Sequence, residues 1–117
     1  MLINNVLEAI GNTPLLRLNK ISSGNVFAKG EFLNPGGSIK DRVAKYIIEE
    51  AENDKILKPG MTIIESTSGN TGIGLTLIGV QKGYEVICVM PENMSEERKK
   101  IIQAFGGKII ATPAEES

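Results

Sequence analysis

The order of apolar blocks along the chain predicts an α/β fold, a parallel sheet flanked by helices in three layers. From residue 61 onward, short apolar runs alternate with segments of helical periodicity, joined by short connections. The runs Ile63-Ile64 and Val86-Ile87-Cys88-Val89-Met90 are continuously apolar, the pattern of parallel strands covered on both faces. Punctuation such as Lys58-Pro59-Gly60, Lys82-Gly83 and Gly106-Gly107 marks the ends of the periodic segments.

Leu15 to Leu18 and Val26 to Glu31 are short extended segments separated by the polar turn Ser22-Ser23-Gly24-Asn25. After Asn34-Pro35-Gly36-Gly37 a helix is expected from about Ile39 to Asn53, with Ser38 as N-cap and Asp41 reaching back to complete a capping box. Strand Met61 to Glu65 follows, then a helix from near Asn70 to about Lys82. Strand Glu85 to Met90 leads to a helix from Ser95 to Phe105, and strand Lys108 to Thr112 comes last. Three parallel strands leave an open edge, so the sheet is expected to be unfinished within these residues.

Composition removes several functional classes. The 117 residues carry a net charge of -1, which supplies no basic field for nucleic acid or an anionic membrane surface. Aromatic residues are 4% of the chain and Trp is absent, which argues against base-stacking platforms. There is no histidine, which excludes a Ser/His/Asp triad and a Cys/His dyad within the chain and removes the commonest zinc ligand. The one cysteine, Cys88, sits in an apolar run and reads as a buried, inert thiol in a reducing compartment. The N-terminus lacks the basic start and apolar core of a signal peptide, so the expected location is cytoplasmic. Chemistry must then rest on Lys, Asp, Glu, Tyr, backbone dipoles or a cofactor.

Two features carry such chemistry. On a helix with residues about 100° apart, Ile39, Val43, Ala44, Ile47, Ile48 and Ala51 fill one half, and Asp41, Arg42, Lys45, Glu49 and Glu52 the other. Lys40 falls within the apolar half. Burial and the positive helix terminus would both favour a neutral amine there, the form that condenses with an aldehyde. A first-turn lysine that snorkels to water is the alternative.

The second feature is Ser66-Thr67-Ser68-Gly69-Asn70-Thr71-Gly72, which joins a strand to a helix. Backbone N–H groups, hydroxyls and an amide converge there on an anion site. No Lys or Arg lies between Lys58 and Lys82, so neutral donors and the helix dipole are expected to hold the anion, which suits a carboxylate. Two other readings exist. Gly69 to Gly74 has the order G-x-x-G-x-G, a rearranged dinucleotide fingerprint, with Glu92 about twenty residues on as a ribose-binding acid. Alternatively, Gly72, Gly74 and Gly79 serve only to bring a buried helix close to its neighbours.

Four blocks together resemble the fold-type II pyridoxal-phosphate enzymes, in particular the cysteine synthase (O-acetylserine sulfhydrylase) and cystathionine β-synthase group. They are Ile10 to Leu15, Glu31 to Arg42, Glu65 to Gly74, and Met90 to Ser95 with Glu97-Arg98. The resemblance implies that the chain is an N-terminal portion of the two-domain, tryptophan synthase β-like architecture. Residues about 13–34 are then expected in the sheet of the other domain. By the same resemblance Lys40 holds pyridoxal 5'-phosphate as a Schiff base and later moves the Cα proton. Asn70 bonds the 3′ oxygen of the cofactor. Thr67, Ser68, Gly69, Asn70 and Thr71 grip the α-carboxylate of a small amino-acid substrate.

The implied reaction is β-replacement on an O-activated serine to give L-cysteine, in an intact protein that is a homodimer. A cystathionine β-synthase-like activity is the near alternative. In this group the phosphate loop and the partner of the ring nitrogen come from chain beyond residue 117, so these residues alone are expected to bind cofactor poorly and turn nothing over. An NAD(P)-dependent oxidoreductase lacks a Tyr-x-x-x-Lys pair here, since neither Tyr46 nor Tyr84 has a lysine four residues on. A non-catalytic interaction module is the third reading.

Overall fold

A computed structural model describes residues 1–116. Strands β1 (Leu15–Arg17) and β2 (Phe27–Lys29) pair antiparallel, with Leu16 opposite Ala28, and form a two-stranded sheet of their own. Helix α1 spans Lys40–Asn53, β3 Thr62–Ser66, α2 Asn70–Gln81, β4 Glu85–Pro91, α3 Glu96–Ala104 and β5 Lys108–Thr112. Each expected element is present to within a few residues. Short 3-10 turns at Val6–Ala9 and Glu31–Leu33 were not anticipated, because a single turn carries no periodic apolar stripe.

Strands β3, β4 and β5 form a parallel sheet in that order, with Ile64 beside Ile87 and Val89 beside Ile110. The elements stack in layers, with α1 on α2, and α2 and α3 on the sheet. One cluster (Ile10, Ala44, Ile48, Leu75, Ile78 and Tyr84) fills the space between α1 and α2. A second, of Ile73, Val86, Cys88, Met90 and Ile102, lies between α2, α3 and the strands. Helix α2 is therefore buried continuously from Gly72 to Gly79, which is why its sequence is apolar on every side.

The strands do not have both faces covered within the described residues. Val86, Cys88 and Met90 of β4 point into the core, whereas Ile64 is 63% and Ile110 52% exposed. The continuous apolar runs had predicted burial on both sides. Helices α2 and α3 neighbour each other on one face only, so the alternate residues of each strand lack a cover here. No helix among the described residues is long and apolar enough to cross a membrane.

Candidate functional site

A parallel sheet places its ligands beyond the carboxyl ends of its strands. A cleft of about 370 Å³ opens there, lined by Ser66, Thr67, Ser68, Val89, Met90, Pro91 and Thr112. The strand-to-helix loop after β3 forms one wall. Thr67 organises that loop. Its Oγ1 accepts from the N–H groups of Gly69 at 3.2 Å and Gly72 at 3.1 Å, while its own N–H donates to the Val89 carbonyl at 3.0 Å. The N–H groups of Asn70 and Thr71, in the first turn of α2, donate to no protein acceptor among the described residues. They are the orphan donors of a helix start, poised for an anion.

The glycines of this segment have a packing use that accounts for their spacing without a dinucleotide. A Cβ on Gly72 would collide with the Thr67 side chain and lie 3.2 Å from Cys88 Sγ; one on Gly74 would lie 2.9 Å from the Lys40 carbonyl oxygen. The second contact joins the two candidate features, since Lys40 opens α1 while its backbone rests against the second turn of α2.

Lys40 itself departs from expectation. Its side chain is exposed rather than sunk among aliphatic neighbours. The buried stripe of α1 is Asp41, Ala44 and Ile48, at i, i+3 and i+7, and Lys40 lies one step off it. Half of the apolar arc faces outward, with Ile39 53% and Ile47 50% exposed. Asp41, assigned from the sequence to the solvent face, is fully buried. The Lys40 amine has no hydrogen bond or ion pair among the described residues, so no protein group there competes for it.

The start of α1 also differs from a capping box. Ser38 Oγ accepts from the Lys40 N–H at 3.1 Å, but Asp41 Oδ2 accepts from the Gly36 N–H at 2.5 Å, and not from Ser38. Burial pushes the Asp41 carboxyl above its ordinary range, partly offset by the Gly36 bond. Its Oδ1 has no hydrogen-bond partner among the described residues. Arg42, likewise placed on the solvent face, instead grips Glu31 with both arms, Nε to Oε2 at 2.8 Å and Nη2 to Oε1 at 2.9 Å. Thr13 Oγ1 donates to Glu31 at 2.5 Å, and Asn34 Nδ2 donates to it at 2.9 Å while Asn34 Oδ1 accepts from Gly11 N–H at 2.8 Å. The Arg42 hydrogen bonds, reinforced by Thr13, hold the Glu31 carboxyl down at about 2. This network ties the blocks Ile10 to Leu15 and Glu31 to Gly37 to the first turn of α1.

Of the residues expected at the site, Thr67 and Ser68 line the cleft. Asn70 is exposed at the first position of α2. Thr71 instead faces a second, apolar groove between α1 and β3, beside Ile47 and Leu75. Gly69, the N-cap of α2, lies under an exposed guanidinium from another helix. That group is Arg98, in the first turn of α3, whose Nη1 donates to the Ser68 carbonyl at 2.8 Å. The loop is therefore braced by a charged group from outside its own sequence. The signal was present, since successive right-handed crossovers lay α3 beside α2, which brings their first turns together. Cys88 is buried as expected, and burial raises its thiol further. Met94 packs into the core.

An accessible amine on one helix start, packed against a helix whose own start gathers unpaired donors, defines an α/β unit suited to seat an amino acid and a carbonyl cofactor. A family model described as "Pyridoxal-phosphate dependent enzyme" matches residues 6–117, and the chain belongs to that family of enzymes. It is 54% identical over 117 residues to a cystathionine beta-synthase of Apis mellifera, covering 96% of this chain and 23% of the relative. It is 52% identical to a cysteine synthase of a Flavobacterium species, covering 98% and 38%. Among solved structures, a cysteine synthase from Entamoeba histolytica superposes with a TM-score of 0.94 at 44% identity, covering all of this chain and 37% of that one. An O-acetylserine dependent cystathionine beta-synthase from Helicobacter pylori gives 0.90 at 38%, with 40% of its chain covered. The chain thus spans roughly a quarter to two-fifths of the length of these relatives.

Proposed function

We propose that this chain supplies the Schiff-base lysine and the substrate-carboxylate loop of a β-replacement enzyme that converts O-acetylserine and sulfide to L-cysteine and acetate. The observation that supports it is the close approach of Gly74 of α2 to the Lys40 backbone, which brings the start of α1, where Lys40 sits, against the helix that follows the Thr67 to Thr71 segment. When bound, pyridoxal phosphate supplies the aldehyde for covalent capture and the electron sink for the reacting carbon. Lys40 Nζ holds that aldehyde and, once displaced by the substrate amine, takes and returns the proton at Cα. The Thr67 to Thr71 segment holds the carboxylate through N–H and hydroxyl donors, and the Asn70 amide orients the cofactor ring. A cystathionine β-synthase-like reaction uses the same residues with a different nucleophile, and relatives of both kinds support it equally.

In this reading residues about 13–34 pair with the sheet of a second domain, the phosphate is held by chain beyond residue 117, and the intact protein is a cytoplasmic homodimer. The separate β1–β2 sheet, with Leu15 63% and Phe27 42% exposed, supports the first of these.

The test is borohydride reduction after incubation with pyridoxal phosphate, followed by peptide mapping. In the complete polypeptide that carries these residues, a single adduct at Lys40 is expected, with attachment and turnover lost in Lys40→Ala. Attachment and turnover undisturbed in Lys40→Ala would end the proposal. In residues 1–117 alone, label is expected over Lys40 and surface lysines alike, without turnover.

A further inference from the structure

Thr67 Oγ1 has two lone pairs, and both are taken by the N–H groups of Gly69 and Gly72. Its hydroxyl proton is then the one bonding capacity left, and Thr67 lines the cleft. The Gly69 N–H belongs to the same peptide unit whose carbonyl, that of Ser68, accepts from Arg98 Nη1 at 2.8 Å. A cation therefore ends a chain of linked groups: guanidinium to Ser68 carbonyl, then Gly69 N–H to the hydroxyl of Thr67, a residue that lines the cleft. Each donor in such a chain polarises the next, so a positive charge outside the cleft strengthens a neutral donor inside it. A Cβ built on Gly69 would lie 3.5 Å from Arg98 Cζ, so the guanidinium rests against the loop, and the cleft is lined by other residues.

We propose that Arg98 is the positioning residue of the carboxylate loop, fixing the Ser68–Gly69 peptide and polarising the Thr67 hydroxyl toward the substrate carboxylate without touching substrate. This rests on the carboxylate-loop reading above. It also explains how a loop without any Lys or Arg of its own selects an anion. The charge is lent by a neighbouring helix, which leaves the cleft free of a competing cation.

The experiment uses the complete, cofactor-loaded protein, titrated with L-alanine and with its uncharged amide while the cofactor absorbance is followed. Borohydride mapping of Lys40 in wild type checks the underlying reading separately. Arg98→Met keeps the apolar stem and removes the charge. It is expected to weaken L-alanine binding by about tenfold or more, as for loss of a charge-assisted hydrogen bond, and to change binding of the amide by less than about threefold. Arg98→Lys restores L-alanine binding to within about threefold of wild type, because the charge can still reach the Ser68 carbonyl. If the Met variant does not fold, Arg98→Gln replaces it, with an expected intermediate loss confined to L-alanine. Equal weakening of acid and amide, or no weakening in a protein whose Lys40 adduct is intact, would overturn the proposal. A wild type without the Lys40 adduct overturns the underlying reading and this one with it.

Discussion

Replacing Gly74 with alanine tests the contact that joins the two halves of the site. Helix propensity alone favours the change by about 1 kcal/mol at an interior helix position. Packing opposes it. The added Cβ would sit 2.9 Å from the Lys40 carbonyl oxygen, 3.2 Å from the Lys40 carbonyl carbon and 3.2 Å from Ala44 Cβ. Two of these three atoms are backbone and cannot swing away, so α1 must withdraw from α2 as a body. Overpacking of this kind costs about 1–3 kcal/mol, and a backbone neighbour puts it at the upper end. The net expectation is a loss of about 1–2 kcal/mol, or roughly 5–10 °C in midpoint for a chain of this size. Thermal unfolding followed by circular dichroism reads it directly. Gly24→Ala is the control, because its nearest neighbour would be Ser22 Oγ at an ordinary 3.6 Å, and it should unfold near the parent's midpoint. In the complete protein, Gly74→Ala should also slow borohydride-trapped attachment at Lys40, since the helix that carries the amine has moved. A Gly74→Ala variant as stable as the parent, or more stable, would show that α1 and α2 do not approach this closely and would remove the physical link between Lys40 and the loop.

Two further outcomes follow from the charged and buried groups. The Glu31 carboxyl, held at about 2 against an ordinary 4.5 by Arg42 and Thr13, contributes stability above pH 4.5 that is lost as pH falls toward 2. Glu31→Gln should therefore unfold below the parent at neutral pH, with the gap in midpoint closing across that interval; a gap independent of pH would refute the assignment. Cys88, fully buried and with its thiol raised first of all by burial, should resist alkylation by iodoacetamide at mildly alkaline pH until denaturant is added. Equal rates in native and unfolded protein would place it at the surface instead.

The elements themselves were legible from sequence because each rests on local rules. Periodicity, punctuating Gly and Pro, and continuous apolar runs gave β3 through β5 with α2 and α3 between them, and the strand-to-helix loop fell where those rules put it. The same rules show that α1 buries a stripe, but not which of two adjacent stripes. Its amino acids alone offered the whole arc of Ile39, Lys40, Val43, Ala44, Ile47, Ile48 and Ala51 as the inward face. Gly74 of α2, which lets α1 approach at Lys40 and Ala44, goes with burial of one edge of that arc, Ala44 and Ile48, together with Asp41 beyond it, while Ile39 and Ile47 stay exposed.

The surroundings of charged groups were least legible, because they depend on residues far apart in the chain. Arg42 finds Glu31 eleven positions away, and Arg98 finds Ser68 thirty positions away, through the geometry of separate elements. The sequence by itself determined which chemical groups the site can draw on: an amine at one helix start and hydroxyl and N–H donors at another. Tertiary structure decided that the amine stands exposed, that glycine brings the two helices together, and that a guanidinium from a third helix rests on the loop. The physical reason is that composition and period constrain a segment's own backbone, whereas solvent exposure and electrostatic partners are properties of the space between segments.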